Sequence, residues 1–335
     1  MNYFLGIDIG TTGTKTILFD ELGNSLGRGY KGYELITPYE KFYEQNAEDW
    51  YDAVVESTLV AVKDFSGKIS GVSFSAQGGS FLLCDIDEKG ELIPLTNAIT
   101  WLDNRAEKEF NKYSKKIEEI TGSKYVVGSA IYRLLWIKDN QPDLYIKVNV
   151  ILSTSDYVYY KLTKRLVVDY TSAAMMDLTD QSDIKYNRQL LNFLEIDEDK
   201  LPKLVEGGSE IDEIKGDFIS RTGLNTGIIL YCGVHDQFAA SLGSNYFGDN
   251  DLIVSTGTTW VLFARNKNKI DGFFYCRKHP IGGYGYFNSA ISSGTVISWE
   301  KDFFGIDYDE LNKQVELSNF DKNLLVYPFI AGSGS

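Results

Sequence analysis

The stretch that decides the fold is Asp8-Ile9-Gly10-Thr11-Thr12-Gly13-Thr14-Lys15. It follows a short apolar run, Tyr3 to Ile9, and leads directly into a second run, Thr14 to Phe19. The turn Glu21-Leu22-Gly23-Asn24 closes that run, and Ser25 to Tyr33 supplies a third. Three strands joined by tight turns predict an antiparallel meander, not a strand followed by a helix. A Walker A loop is therefore a poor fit, since its Gly-Lys-Ser/Thr ending and its helix are both absent. The chemistry of the turn still favours an anion. Glycines let backbone N–H groups approach a phosphate without a Cβ clash, threonine hydroxyls add donors, and Lys15 adds positive charge. Asp8, at the strand end, is suited to hold Mg²⁺ through water, because that ion prefers carboxylate and water ligands.

Working outward, Ala47 to Phe65 reads as an amphipathic helix with Trp50, Val54, Leu59 and Val62 on one face. Ile69 to Ser75 returns as a strand. Helical segments follow at Asn104–Ile120, Ile131–Asn140, Asp156–Leu162 and Tyr186–Leu194, with a strand at Val148–Ser153. Ile228 to Tyr231 is a buried strand that runs into Gly233-Val234-His235-Asp236. A new meander starts at Leu252, and its turn Ser255-Thr256-Gly257-Thr258-Thr259 again leads into an apolar run, Trp260 to Phe263. The echo between the two Gly/Thr turns predicts two related domains, 1–245 and 246–335, holding one polyphosphate like a pair of jaws.

Asp236 is the third element. It precedes a small-residue helix start, Gln237 to Gly243, so it is either a helix N-cap, worth about 1 kcal/mol, or a general base for a substrate hydroxyl. His235 competes for the base role but shows no charge partner in the sequence. His279 reads as a surface or packing residue.

Composition sets limits. The formal charge of −14 argues against a nucleic-acid binder and against an anionic membrane surface. Cys84, Cys232 and Cys276 lie far apart with no CxxC spacing, which fits neither a disulfide framework nor a zinc site. No apolar run approaches the roughly 18 residues of a membrane span, and the N-terminus has no basic leader pattern. A cytoplasmic protein is expected.

Taken together, Asp8 to Lys15, Ser255 to Thr259 and Gly233-Val234-His235-Asp236-Gln237 resemble the two phosphate loops and the catalytic-aspartate segment of the FGGY carbohydrate kinases. Ser75-Ala76-Gln77-Gly78-Gly79 resembles that family's sugar-contacting strand end, and Trp101-Leu102-Asp103-Asn104-Arg105 its Trp-x-Asp-x-Arg segment. The resemblance implies an α/β, actin-like ATPase (ribonuclease H-like) two-domain fold and an ATP- and Mg²⁺-dependent kinase acting on a small sugar or polyol. It further implies that Asp236 is the base and Asp8 assists magnesium. Gly10, Thr11, Thr12, Gly13, Thr14, Lys15, Gly257, Thr258 and Thr259 would hold the phosphates. Gln77, Gly78 and Gly79 would line the sugar pocket, with Trp101 and Asp103 nearby, and a homodimer is compatible with it.

Two departures shape the expectation. Xylulokinases typically carry Met-His-Gly where this chain has Gln77-Gly78-Gly79, so the missing imidazole is expected to widen the pocket and to disfavour D-xylulose. Glycerol kinases carry an Arg-Glu pair there, also absent. A Gln-Gly sequence is closer to erythritol-kinase-like members, which keeps pentulose, tetritol and aldonate substrates in view. Family members also continue beyond the segment resembled by Tyr327 to Ser333. The second domain is therefore expected to be incomplete and ATP binding by this chain alone impaired, the rival reading being a sugar-binding or regulatory protein that has lost catalysis.

Overall fold

A computed structural model describes residues 1–180, 183–246, 248–249, 251–256, 260–270, 275–290 and 293–318. The chain divides into two compact units. The first comprises Met1–Gly243 with Arg277–Gly282, and the second Ser244–Cys276 with Gly283–Ser335.

The first unit opens with the meander β1 (Tyr3–Ile9), β2 (Gly13–Asp20) and β3 (Ser25–Gly32), paired antiparallel with Asp8 opposite Lys15. Leu5, Ile7 and Ile9 alternate inward on β1, the period-two pattern of a sheet with one face on a core. After the short β4 (Glu44–Gln45), helix α1 (Ala47–Val62) begins at Asn46, whose side chain accepts from the Glu48 N–H. Its buried face runs through Trp50, Val54, Thr58 and Ala61, whereas Leu59 is 40% exposed. Trp50, Val54 and Val62 thus lie on the buried face as expected, and only Leu59 does not: a spacing of four from Val54 selects Thr58 in its place.

Strand β5 (Ile69–Ala76) returns parallel to β1. A second layer follows: β6 (Phe81–Ile86), β7 (Leu92–Pro94), β8 (Ala98–Ile99), α2 (Glu107–Thr121), α3 (Ala130–Asn140), α4 (Pro142–Lys147), β9 (Val150–Ser153) and α5 (Thr154–Thr163). Then come β10 (Val167–Asp169), α6 (Tyr170–Met175), α7 (Arg188–Leu194), β11 (Lys203–Val205), β12 (Glu210–Glu213) and α8 (Asp217–Thr222). Helix α7 starts two residues later than its apolar pattern implies, because the Asn187 side chain caps the Leu190 N–H while Tyr186 bridges to Thr179. Strand β13 (Ile229–His235) and helix α9 (Asp236–Ser244) complete the run.

The main sheet has the order β12-β13-β5-β1-β2-β3, so β13, β5 and β1 are parallel neighbours whose carboxyl ends finish side by side. Its core is built by Leu5, Ile7, Trp50, Val54, Phe74, Tyr157, Phe218 and Leu230. A separate cluster around Phe81, Ile131, Leu134, Leu135 and Leu190 packs the β6-centred sheet. The strand expected to stop at Tyr231 continues to His235. It does so through a bulge: Tyr231 pairs with Ser73 and Val234 with Ser75, so β13 spends one extra residue there. Gly233 sits in that bulge, with its N–H donated to the Tyr159 hydroxyl at 2.9 Å and its α-carbon pressed onto the Phe74 backbone. Bulges bend a strand and re-aim its last side chains.

The second unit contains β14 (Leu252–Thr256), β15 (Trp260–Asn266) and β17 (Tyr284–Ala290), with α10 (Ser293–Phe304) and α11 (Tyr308–Leu317); the strand β16 (Tyr275–Lys278) starts in this unit and ends in the first, and the sheet order is β14-β15-β17-β16. Gly257, Thr258 and Thr259, expected to form the second phosphate turn, lie outside the described residues, as does the segment Tyr327 to Ser333. Cys84, Cys232 and Cys276 are buried and unbridged.

Any Cβ at position 233 would overlap the Phe74 carbonyl group. Gly233→Ala should therefore cost about 1–3 kcal/mol or more of stability, read as a lower urea midpoint at unchanged slope. An unchanged midpoint would show that the bulge is not tightly packed.

Candidate active site

The parallel register places chemistry at one end of the sheet. Asp8 on β1 pairs with Ser75 on β5, and His235 on β13 pairs with Ala76. Asp236, the first residue of α9, follows immediately. Open α/β sheets bind ligands at this end, beyond the carboxyl termini of their parallel strands.

Asp8 accepts a hydrogen bond from the Ser75 hydroxyl at 2.8 Å. Burial pushes its carboxyl above the ordinary range. Ser75 opposes that, Asp236 raises it further, and Lys15 and His235 pull it down. The two carboxylates therefore feel one another, the usual sign of a site where charge is deliberately concentrated. Lys15 is exposed, across the hairpin from Asp8.

The turn after β1 has its carbonyls fastened from behind. The Tyr33 hydroxyl donates to Gly10 O. Gln45 Nε2 donates to Thr11 O at 2.7 Å, and the Tyr30 hydroxyl to Thr12 O at 3.2 Å. With its acceptors occupied, the turn is left to offer donors, which is what an anion requires. Thr14 departs from expectation. It is fully buried, its hydroxyl near that of Tyr33 without a hydrogen bond of good geometry, so it packs the hairpin and does not face a phosphate.

A chain of amides then links this turn to the segment Gln77-Gly78-Gly79, expected from the sequence to line a sugar pocket. Trp50 Nε1 can only donate, and it donates to Gln45 Oε1 at 3.1 Å. That fixes Gln45 Nε2 on Thr11 and obliges Gln77 to offer its own Nε2 to Gln45 Oε1, at 2.9 Å. Gln77 is thus almost fully buried and half committed, while its Oε1 has no hydrogen-bond partner. Beside it, Gly79 adopts a φ of +72°, and its carbonyl accepts from the buried Arg133 guanidinium at 2.7 Å. Arg133 also donates to Thr100 O and, at 3.0 Å, to Gly128 O, so one side chain pins three segments. Trp101 keeps a partly open ring, and its Nε1 donates to Thr11 Oγ1 at 2.9 Å.

Asp103 is not presented to a ligand, contrary to expectation. It is fully buried, and its carboxylate takes the Arg105 Nε at 2.9 Å, the Arg105 Nη2 at 2.7 Å and the Tyr43 N–H at 2.7 Å. Arg105 in turn stacks over Phe42, 3.9 Å from the ring centre. The Trp-x-Asp-x-Arg segment is therefore a clasp, closed by Asp103 and Arg105 on each other and on Phe42, Tyr43 and Glu44, next to Trp101. Nor is the pocket widened at Gly78. A Cβ there would collide with Cδ2 and Nε2 of His235, and would come within 2.8 Å of Met175 Cγ, so the imidazole of His235 occupies that space. His235 also has the charge partner that its sequence context hides: Nε2 lies 3.1 Å from Asp236 Oδ1. His279 is buried against Phe238, with ring centres 5.5 Å apart.

Residues 3–243 match the N-terminal domain model of the FGGY family of carbohydrate kinases. The chain belongs to that family. Curated relatives include a xylulose kinase of Lactococcus lactis subsp. lactis (strain IL1403), 28% identical over 99% of this chain and 68% of the relative. A gluconokinase of Bacillus licheniformis is 26% identical with the same two coverages. The solved structure of a ligand-bound xylulose kinase from Lactobacillus acidophilus superposes with a TM-score of 0.91 at 25% identity, covering 100% of this chain and 70% of that one. The fold is thus the actin-like ATPase fold of FGGY sugar kinases, mixed α/β. Members of this family are carbohydrate kinases that use ATP and phosphorylate a small-molecule alcohol. Among the described residues, no helix is long and apolar enough to cross a membrane.

Sequence reasoning missed Gln45, Tyr33 and Arg133. Only Arg133 leaves a trace, a lone charge within the apolar run Ile131-Tyr132-Arg133-Leu134-Leu135.

Because Asp8 is raised by burial and by its neighbour carboxylate, the native chain binds more protons than the unfolded one just above pH 3.8, the ordinary value for Asp. That stability is present at low pH and lost as pH rises through the raised value. In metal-free buffer, Asp8→Asn should therefore be increasingly more stable than wild type from pH 4 to pH 8, measured by thermal unfolding. A gap that stays flat with pH would contradict this electrostatic picture.

Proposed function

We propose that this chain phosphorylates a hydroxyl of a pentulose, tetritol or aldonate at the expense of ATP, with Asp236 as general base. The observation that carries the reading is that Asp8 and Asp236 come into each other's field at the carboxyl ends of β1 and β13, the two parallel strands that flank β5, beside a turn whose carbonyls are all tied back. Phosphoryl transfer asks a protein chiefly for alignment and charge neutralisation. Asp236 can supply the alignment: a carboxylate with one oxygen sealed and 33% of its side chain open is placed to accept the hydroxyl proton as the oxygen attacks phosphorus.

Gln77 Oε1, buried without a partner, is the acceptor that a second sugar hydroxyl would satisfy, since an unpaired buried polar atom costs about 1–3 kcal/mol. The open ring of Trp101 gives an apolar wall. Gly10, Thr11, Thr12, Gly13 and Lys15 are the proposed phosphate-binding residues, and the same role is proposed for Gly257, Thr258 and Thr259 from the sequence resemblance alone. Domains of 1–245 for the sugar and 246–335 for the nucleotide follow from the same reading.

Mg²⁺ fits this set. Among the described residues no cluster of three or more His, Cys, Asp or Glu side chains could cage a metal, and Mg²⁺ seldom uses such a cage. Asp8, with Oδ1 on Ser75, would hold the ion through water. Bound there, the ion would neutralise phosphate charge and relieve the repulsion between Asp8 and Asp236.

Asp236→Asn should reduce sugar-dependent ADP release by about 10²–10⁴-fold while leaving sugar affinity within a few-fold of wild type, measured by a coupled assay and by calorimetry. Turnover that survives the substitution would remove Asp236 from the base role.

A further inference from the structure

The buried imidazole beside Asp236 has no part in the reading so far. His235 ends β13, and its ring is enclosed. It occupies the room that Gly78 leaves by lacking a side chain and meets Phe238 edge-on with ring centres 6.2 Å apart. Its backbone is fixed as well. The His235 N–H donates to Thr171 Oγ1 at 2.9 Å, and that hydroxyl donates to the buried carboxylate of Asp169, which caps α6. A ring held on all sides can place its Nε2 accurately. It places it 3.1 Å from Oδ1 of Asp236, a close polar contact short of an aligned hydrogen bond, on an oxygen that is sealed from solvent.

We propose that His235 is the positioning residue of the general base: seated in the space above Gly78, its imidazole holds Oδ1 of Asp236 and turns the other carboxylate oxygen toward the substrate hydroxyl. The proposal rests on Asp236 being the base. It assigns no proton transfer to His235 itself. Gly78 acquires a role by the same geometry, since even a methyl group there would push the imidazole off its carboxylate. A carboxylate free to rotate would spend less time aligned with the attacking oxygen, and misalignment on the scale of 1 Å can cost about 10²-fold in rate.

The test is a mutant cycle on the full chain, with kcat and sugar KM read separately. His235→Ala and Gly78→Ala should each lower kcat by roughly 10- to 100-fold with little change in sugar KM. His235→Gln, which keeps an N–H donor at the reach of Nε2, should recover most of that loss. The double variant Gly78→Ala/His235→Ala should be no slower than His235→Ala, because the methyl has no ring left to displace. Wild-type kcat in His235→Ala, a Gln variant as slow as the Ala variant, or additive losses in the double variant would each overturn the proposal. A second readout needs no turnover. The chain has only two histidines, so the imidazole ¹⁵N spectrum is simple, and the peaks are assigned by the one that vanishes in His235→Gln. Asp236→Asn should move the His235 Nε2 resonance and leave that of His279 in place, whereas an unmoved His235 resonance overturns the contact. If Asp236→Asn turns over normally the base reading itself falls, while an inactive Asp236→Asn beside a fully active His235→Ala removes only the role given to His235.

Discussion

Three parallel strands ending at the same level force Asp8 and Asp236 into one another's field, and much of the first unit is organised around tolerating that. The pairing of Asp8 with Ser75 and of His235 with Ala76 leaves no freedom to separate the two carboxyl groups along the strand axes. Hydrophobic alternation on β1, β5 and β13 locks the register, since a slip by one residue would turn every core side chain outward. The repulsion is then offset locally. Ser75 binds one oxygen of Asp8, Lys15 supplies positive charge, and the bulge at Gly233 re-aims the end of β13. Such an arrangement costs stability at neutral pH, a familiar exchange at functional sites.

Around this charged point several polar side chains serve to hold the neighbouring loops in place. Gln45 and Trp50 sit behind the turn that follows β1, Arg133 behind Gly79 and Thr100, and Arg105 with Asp103 behind Trp101. Each uses a hydrogen-bonding group of fixed geometry to fasten a loop that has no regular secondary structure of its own. The loops can then be irregular without being loose, as a site that must align three reacting groups requires.

The sequence made the local features plain and hid the long-range ones. The β1–β2 hairpin with its Gly/Thr turn was legible because turn chemistry and strand period lie within about twenty residues. Asp236 was legible because it sits between a buried strand and a run of small residues. Partners brought together by the sheet were not. Nothing near His235 announces that Gly78, more than 150 residues earlier, makes room for its ring, so the pocket looked wider than it is. Asp103 looked like a sugar contact because a carboxylate next to an open Trp reads that way. Its occupation by Arg105 and Tyr43 depends on a tertiary contact with β4 and its neighbours. Thr14 shared the composition of the Gly/Thr turn yet belongs to β2, where it is fully buried.

The most direct measurement is a crystal structure of the chain with a bound pentulose, tetritol or aldonate. The account predicts a ligand hydroxyl at hydrogen-bond distance from Oδ2 of Asp236, a second on Oε1 of Gln77, and the carbon skeleton against Trp101. A sugar lodged elsewhere, with Asp236 turned away from every hydroxyl, would contradict it.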